Sequence, residues 1–420
     1  MKKVYNMENQ IPLKLFDSGY ALSDSNFNSL SLIDNYIYYT LCTHDINGPG
    51  RVYRLDIETE TPELIGNLAD ICGKGESKRI PQGKSHTPFY KYDEKIWFAT
   101  HCSFYGGTVD GKENPAPPPE GYLPYSGGRI VTIDKDKKTK VVAKAPDGEG
   151  IITMTMDTQR GVAYCLTWPS GLLLIYDAVA NTFKNCGKVA LDGEIGVGER
   201  YSCLCRTIAI EPTTGTAYFT LSNGEVYETD KDGNVKLVTW CNLKRDIFGQ
   251  FDPTVGGHQG YNWRYLAYSK KYRKFFGVHG KSGWLFTFDP VNQTFEILDR
   301  IASRYCKQTG AYEEFRYGYM TLTASPVDED LLHYISGYSD PETKLPVLTA
   351  ISYHIATGTY TEHGRLCLPN DACLTNIQTL AVTTGGDWYV CPWRRTGEIN
   401  HKGDPKAHVD LAKFRVPSKA

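Results

Sequence analysis

Apolar and polar positions alternate along this chain in short runs, and the runs recur. Aromatic-rich segments stand at YIYYTL (36–41), KIWFAT (95–100), VAYCLT (162–167), TAYFTL (216–221), KFFGVH (274–279), LLHYIS (331–336) and DWYVCP (387–392). After most of them comes a second apolar run with an Asp near its end: RVYRLDIET (51–59), RIVTIDKDK (129–137), LLLIYDAVAN (172–181), EVYETDKDG (225–233) and WLFTFDPVN (284–292). In LTAISYHIATG (348–358) His354 takes the place of that Asp. Period-two runs bounded by Gly, Asn and Asp predict strands joined by tight turns. No sustained 3.6-residue pattern predicts a long helix, and no linker interrupts the series.

The repeat length of about 40–60 residues, with four short strands per unit, is the pattern of a β-propeller blade. Seven such units are legible, so the expectation is an all-β, seven-bladed β-propeller, a single domain spanning residues 1–420. LAKFRV (411–416) reads as the third strand of the last unit and PLKLFDSG (12–19) as its fourth. Such a mixed blade would close the ring and cover the sheet edges. Residues 106–128, GGTVDGKENPAPPPEGYLPYSGG, break the rhythm of the second unit. A Pro- and Gly-rich insertion of this length is either functional or a tolerated surface loop.

Composition narrows the classes. Lys and Arg number 46 against 48 Asp and Glu, a formal net charge of −2, which lacks the basic footprint of a nucleic-acid binder. Apolar runs are too short for a membrane-spanning helix. The first residues, MKKVYNMENQIPLKLF, carry three lysines and no apolar stretch, which predicts no export signal. Twelve cysteines include no C-x-x-C pair, and Cys42, Cys165 and Cys391 lie in strand-like runs. They read as reduced core thiols, and the protein as cytoplasmic.

In a propeller the first strand of each blade lines the central channel, and the loops leading into it share one face with the loops between the second and third strands. Those positions carry KSHTPF (84–89), ERYSCLCR (199–206), GGHQGYNWR (256–264), EEFRYGY (313–319), LTNIQ (374–378), THCSFYGG (100–107), TWPSG (167–171), VHGKSG (278–283) and PWRRTG (392–397). The chemistry gathers there: His86, His101, His258 and His279, with Trp168, Trp263 and Trp393. Arg206, Arg264, Arg316, Asn262 and Asn376 recur at period two, and Arg394 follows Trp393. Guanidinium forks suit carboxylates, and aromatic faces suit a pyranose ring, so these residues are candidate contacts for an acidic sugar. The same polar residues could instead bond neighbouring blades around a water-filled channel. The segment from Lys84 to His101 is the strongest local signal, because antiparallel strands would bring His86 and His101 side by side. Two imidazoles can serve as base and acid near neutral pH. Alternatively they could hold a divalent metal such as Mn²⁺ or Ca²⁺, with His258 or His279; no other cofactor is predicted.

This pair of histidines on a seven-bladed frame resembles the propeller-type polysaccharide lyases, the ulvan and rhamnose–glucuronate lyases. The segments GEGIIT (148–153) and LTWPSG (166–171) are also similar to those of a wider group of propellers. The resemblance implies cleavage at C4 of a uronic acid by β-elimination, with His86 and His101 as catalytic residues. Those lyases add a Tyr and an Arg from the next blade, where this chain has Gly150 and Trp168. The roles would therefore fall to Tyr201, Arg206 or Arg264. The implied partner is a small saccharide, an oligosaccharide or glycoside. A glycoside hydrolase, which would need paired carboxylates, and a non-catalytic glycan- or protein-binding propeller are the alternatives.

Overall fold

The computed structural model describes residues 9–73, 75–104, 108–109, 112–113, 118–255, 259–312, 321–369, 374–399 and 405–417. Regular structure in these residues is nearly all β, built chiefly from seven consecutive sheets of four or five strands. The chain divides into two compact units, residues 20–264 and residues 1–19 with 265–420.

The 20–264 unit holds four four-stranded antiparallel meanders. The first is Leu30–Ile33, Tyr36–Leu41, Arg51–Asp56 and Thr61–Asn67. The second is Tyr90–Tyr92, Lys95–Ala99, Arg129–Ile133 and Thr139–Lys144. The third is Gly150–Asp157, Val162–Trp168, Leu172–Asp177 and Thr182–Lys188. The fourth is Ala209–Ile210, Ala217–Thr220, Glu225–Thr229 and Val235–Asn242. Val162–Trp168 is buried along its whole length, whereas the outermost strand of its sheet, Thr182–Lys188, is mostly exposed. This explains the unbroken apolar run of the former and the polar sequence of the latter. Sheets pack face to face: Val52, Phe98 and Val131 share one core cluster, and Ile130, Met154, Cys165 and Leu174 another. Each such aliphatic side chain contributes about 1.5–3 kcal/mol by leaving water.

The recurring Asp has a local cause. Asp56, Asp134, Asp177, Asp230 and Asp289 each accept two backbone N–H groups of the turn that follows, through one carboxylate oxygen. The side chain thus holds the hairpin between third and fourth strands, as Asx turns do.

In the other unit the fifth sheet is Trp263–Ser269, Lys274–His279, Trp284–Asp289 and Thr294–Arg300, its first strand starting at the unit boundary. The sixth comprises Thr321–Ala324, Leu331–Ser339, Pro346–His354 and Thr359–Cys367, with Gln10–Pro12 added parallel to the last. The seventh joins Ala381–Val382, Asp387–Val390, Leu411–Arg415 and Lys14–Phe16. The N-terminal strand expected over 12–19 is therefore two short strands in different sheets. The run expected over 387–392 also divides. Asp387–Val390 stays in the seventh sheet, while Pro392–Ile399 pairs with Leu374–Ile377 and Pro405–Val409 in a separate three-stranded sheet. Pro392, which has no N–H to give a ladder, stands where the chain changes sheet.

Of the 106–128 insertion, residues 106–107, 110–111 and 114–117 lie outside the described residues. Its last part is tied down: the Tyr125 hydroxyl donates to Gln82, and the Gln82 amide donates to the Gly127 carbonyl at 2.8 Å. No described cysteine is in a disulfide; Cys373 lies outside the described residues. Among the described residues no helix is long and apolar enough to cross a membrane.

Candidate functional site

The two histidines meet, by a route the strand pattern did not predict. His101 is not opposite a first strand of its sheet. It lies on the short strand His101–Cys102, which pairs with Gln82–Lys84 and places His101 opposite Lys84. His86 follows two residues after Lys84, in a bend fixed by the Ser85 and Thr87 hydroxyls, the latter accepting the Ala99 N–H at 3.0 Å. The His86 and His101 ring centroids are 4.9 Å apart. His86 stacks on Phe27 at 4.5 Å, and His101 lies 5.5 Å from the Trp168 ring. His44 meets the other edge of Phe27 and is bonded to Asp24 at 2.9 Å. A row of rings thus runs from His44 through Phe27, His86 and His101 to Trp168.

Gly150 makes room for this row. A Cβ built on it would stand 2.2 Å from His101 Nδ1. That nitrogen accepts the Cys102 backbone N–H at 2.7 Å, which assigns the ring proton of the neutral form to Nε2. Glycine fits at position 150 because the imidazole occupies the space that a side chain would need.

Electrostatics set the protonation state. His86 is held well below the ordinary imidazole pKa, first by burial and then by the positive charges of His101, Lys84, Arg206 and His44. His101 is depressed likewise, by burial, Lys84, Arg206 and His44. Both rings are therefore neutral at rest, beside a lysine with 0% exposure.

Trp168 and Arg206 share a partner that the sequence did not reveal. Glu194 accepts the Trp168 indole N–H at 3.1 Å, an Arg206 guanidinium N–H at 2.9 Å and the Leu204 backbone N–H at 3.1 Å. Arg206 also donates to the Leu204 carbonyl at 3.0 Å. It was expected as an open carboxylate fork. Instead it is half of an ion pair that fixes Trp168 against His101. Tyr201 is buried, which pushes its phenol far up and keeps it a neutral donor. Arg264 is buried beside Trp263, its carbonyl accepting the Thr207 hydroxyl.

Other candidates are held by the fold itself. Asn262 is fully buried, donating to the Cys203 carbonyl and accepting from Thr220. The Trp263 indole donates to the Thr207 carbonyl at 2.7 Å. In the other unit, buried His279 bonds Ser282 in its own turn. There Arg394 is ion-paired to Asp410, and Asn376 faces Trp393 across a strand pair. His258 and Arg316 lie outside the described residues. Among the described residues no group of three or more His, Cys, Asp or Glu is arranged to hold a metal. With His101 Nδ1 already bonded to Cys102, the pair does not present a ligand set from which to derive a metal-dependent step.

The fold class these sheets define is the β-propeller, and solved structures agree. The chain is similar to the periplasmic gluconolactonase of Pseudomonas aeruginosa at 12% identity and a TM-score of 0.51, over 91% of this chain and 100% of that one. It is similar to the GH74 xyloglucanase of Xanthomonas campestris at 12% identity and 0.54, over 95% of this chain but 55% of that one. U3-55K matches at 8% identity and 0.52, over 96% and 98% of the two chains. These likenesses establish the fold and no lyase family. No protein-family profile and no curated protein matches the chain.

Proposed function

We propose that the protein is a carbohydrate-active enzyme that cleaves a uronic-acid-containing oligosaccharide or glycoside by β-elimination at the His86–His101 pair. The observation that carries this reading is the pair itself: two imidazoles 4.9 Å apart, kept neutral by burial and by the cationic Lys84 and Arg206 beside them. A carboxylate entering this surrounding would be stabilised, and its binding would acidify the C5 proton of the sugar. One neutral imidazole takes that proton, the C4–O bond breaks, and a C4=C5 double bond forms. Because neither ring carries an extra proton at rest, the proton delivered to the leaving oxygen is the one taken from C5, passed on within the pair. Hydrolysis is disfavoured because the carboxylates that reach this row, Glu194 and Asp24, are each tied to a cationic or imidazole partner. That the gluconolactonase and the xyloglucanase are by name sugar-directed supports carbohydrate chemistry on this fold. In a cytoplasmic setting the substrate would be a short oligosaccharide.

A panel of uronic-acid oligosaccharides read at the ultraviolet absorbance of a 4,5-unsaturated product tests the reading. His86→Ala and His101→Ala should each lower kcat on the order of 10²-fold or more. Full turnover by the double variant would remove the pair from the chemistry.

A further inference from the structure

A cavity of about 190 Å³ opens between the third and fourth sheets of the 20–264 unit. At roughly 30 Å³ per water it has room for about six non-hydrogen atoms. Leu191 and Leu221 give it apolar surface, Tyr201 and Tyr227 aromatic rings, and Glu199 and Glu225 carboxylates. Leu191 is 51% exposed, so the cavity reaches solvent. The rings are fixed: Tyr201 is buried, and Tyr227 stacks on Phe219 at 5.8 Å and donates its hydroxyl to Glu225 at 2.8 Å. The neutral polar groups of the lining are spent on the fold. Ser222 Oγ accepts the Cys203 N–H at 3.2 Å and donates to the Pro253 carbonyl at 3.4 Å, and the Asn223 carboxamide accepts the Glu225 N–H at 3.1 Å. The carboxylates are not spent. The lining contains neither Lys nor Arg, and among the described residues neither Glu199 nor Glu225 is in an ion pair. The cations that flank this segment, Lys188, Arg200 and Arg206, are taken by Asp192 and Glu194.

From this arrangement we infer that the cavity binds a small organic cation, a primary alkylammonium. An ammonium carries three N–H donors and no acceptor, the complement of a lining whose open polar groups are acceptors. Its charge offsets two carboxylates that otherwise repel each other, and tyrosine rings attract a cation to their faces. The carbon chain lies against the leucines, and an amine nitrogen with about five carbons fills the volume. A carboxylate or phosphate would meet two like charges here and be turned away, and a neutral molecule of the same shape would forfeit the attraction. The site stands apart from the elimination at the histidines and needs no part of it. A free alkylamine and a lysine side chain of a partner present the same group.

Binding of n-pentylamine to the full chain at pH 7 and low salt, followed by calorimetry or ligand-observed NMR, tests the assignment. n-Pentanol and pentanoate serve as its neutral and anionic counterparts. The amine should bind, pentanol should bind about tenfold more weakly or worse, and pentanoate should not bind. Glu199→Gln and Glu225→Gln should each weaken amine binding on the order of tenfold, and Leu221→Trp, which fills the cavity, should abolish it. Glu199 is exposed and Glu225 half-buried, so their variants keep the test valid if the Trp variant fails to fold. Nα-acetyl-lysine methylamide separates the sources: binding as tight as that of pentylamine assigns the cavity to a partner's lysine, and its exclusion to a free amine. Failure of pentylamine to bind, pentanol binding as tightly as the amine, or amine binding indifferent to both Gln variants would overturn the assignment.

Discussion

Gly150→Ala adds a single methyl group and aims it at the His101 ring of the histidine pair. The new Cβ would stand 2.2 Å from His101 Nδ1 and 2.6 Å from Cε1, where real contacts begin near 3.0 Å. The imidazole must therefore retreat by about 1 Å, and it has little space to do so, with His86 at 4.9 Å and the Trp168 ring at 5.5 Å. Overpacking of this kind costs about 1–3 kcal/mol of stability, less than a domain's whole reserve. A catalytic group displaced by about 1 Å loses on the order of 10²-fold in rate. Gly150 has no positive φ, so alanine adds no backbone strain of its own. The expected outcome is a folded protein with a lowered Tm, shifted His101 imidazole resonances, and turnover of a uronide reduced about 10²-fold. The resonances report on the geometry whether or not the substrate has been found. Unchanged His101 shifts, or full activity, would show that the ring is not seated against Gly150 and would refute the reasoning.

Lys84→Met should raise the pKa of both His86 and His101 by removing a positive neighbour, and an NMR titration of the imidazole C–H signals would show a shift downward or none if the lysine is not near them. His333, bonded to Ser352 and packed on Trp388, is lowered to about 4, chiefly by burial and then by His363. Its unfolded form binds a proton near 6.5 while the folded form does not, so its contribution is complete above that pH and is lost as pH falls towards 4; denaturant midpoints of wild type and His333→Gln across this window should converge at the acid end. Asp410→Ala, which removes a buried carboxylate bonded to Ser18, Arg394 and His408, should cost about 2–3 kcal/mol in urea unfolding. Asp177→Ala should cost about 1 kcal/mol by freeing two turn N–H groups, and an unchanged midpoint would dismiss the repeated Asp as a turn holder.

The sheets were legible because each strand writes its burial into its own period. The Asp marks were legible because an Asx turn is a contact between near neighbours. Lys14–Phe16 was found in the expected sheet for the same reason: a missing strand leaves a gap in the count. Gln10–Pro12 was not legible, since three residues carry too little pattern to specify a parallel partner at Arg365–Cys367. At the site, His86, His101 and Trp168 could be placed together from their positions in the repeat. Glu194 could not, because a D-G-E-I run reads as a turn and its bonds to Trp168 and Arg206 span 26 and 12 residues. Lys84 stood inside the quoted motif, yet a lysine is ordinarily read as a solvent-facing residue. Arg206 and Arg394 were hard to read for a related reason: a guanidinium's chemistry is visible in sequence, whereas the carboxylate already bonded to it, Glu194 or Asp410, is not.

The seventh sheet takes Lys14–Phe16 from one end of the chain and Leu411–Arg415 from the other, and Ser18 reaches Asp410 across 392 residues. A ribosome delivers these partners far apart in time. At roughly 5–20 residues per second, the N-terminal strand waits about 20–80 s for its mate, long after the intervening meanders have had the chance to form. During that interval the Asp387–Val390 edge, once made, offers an unpaired ladder to any passing strand. Nascent chains stalled just short of residue 411 should therefore be the most aggregation-prone in a truncation series, and a supply of the 411–415 strand in trans would be the natural way to quiet them.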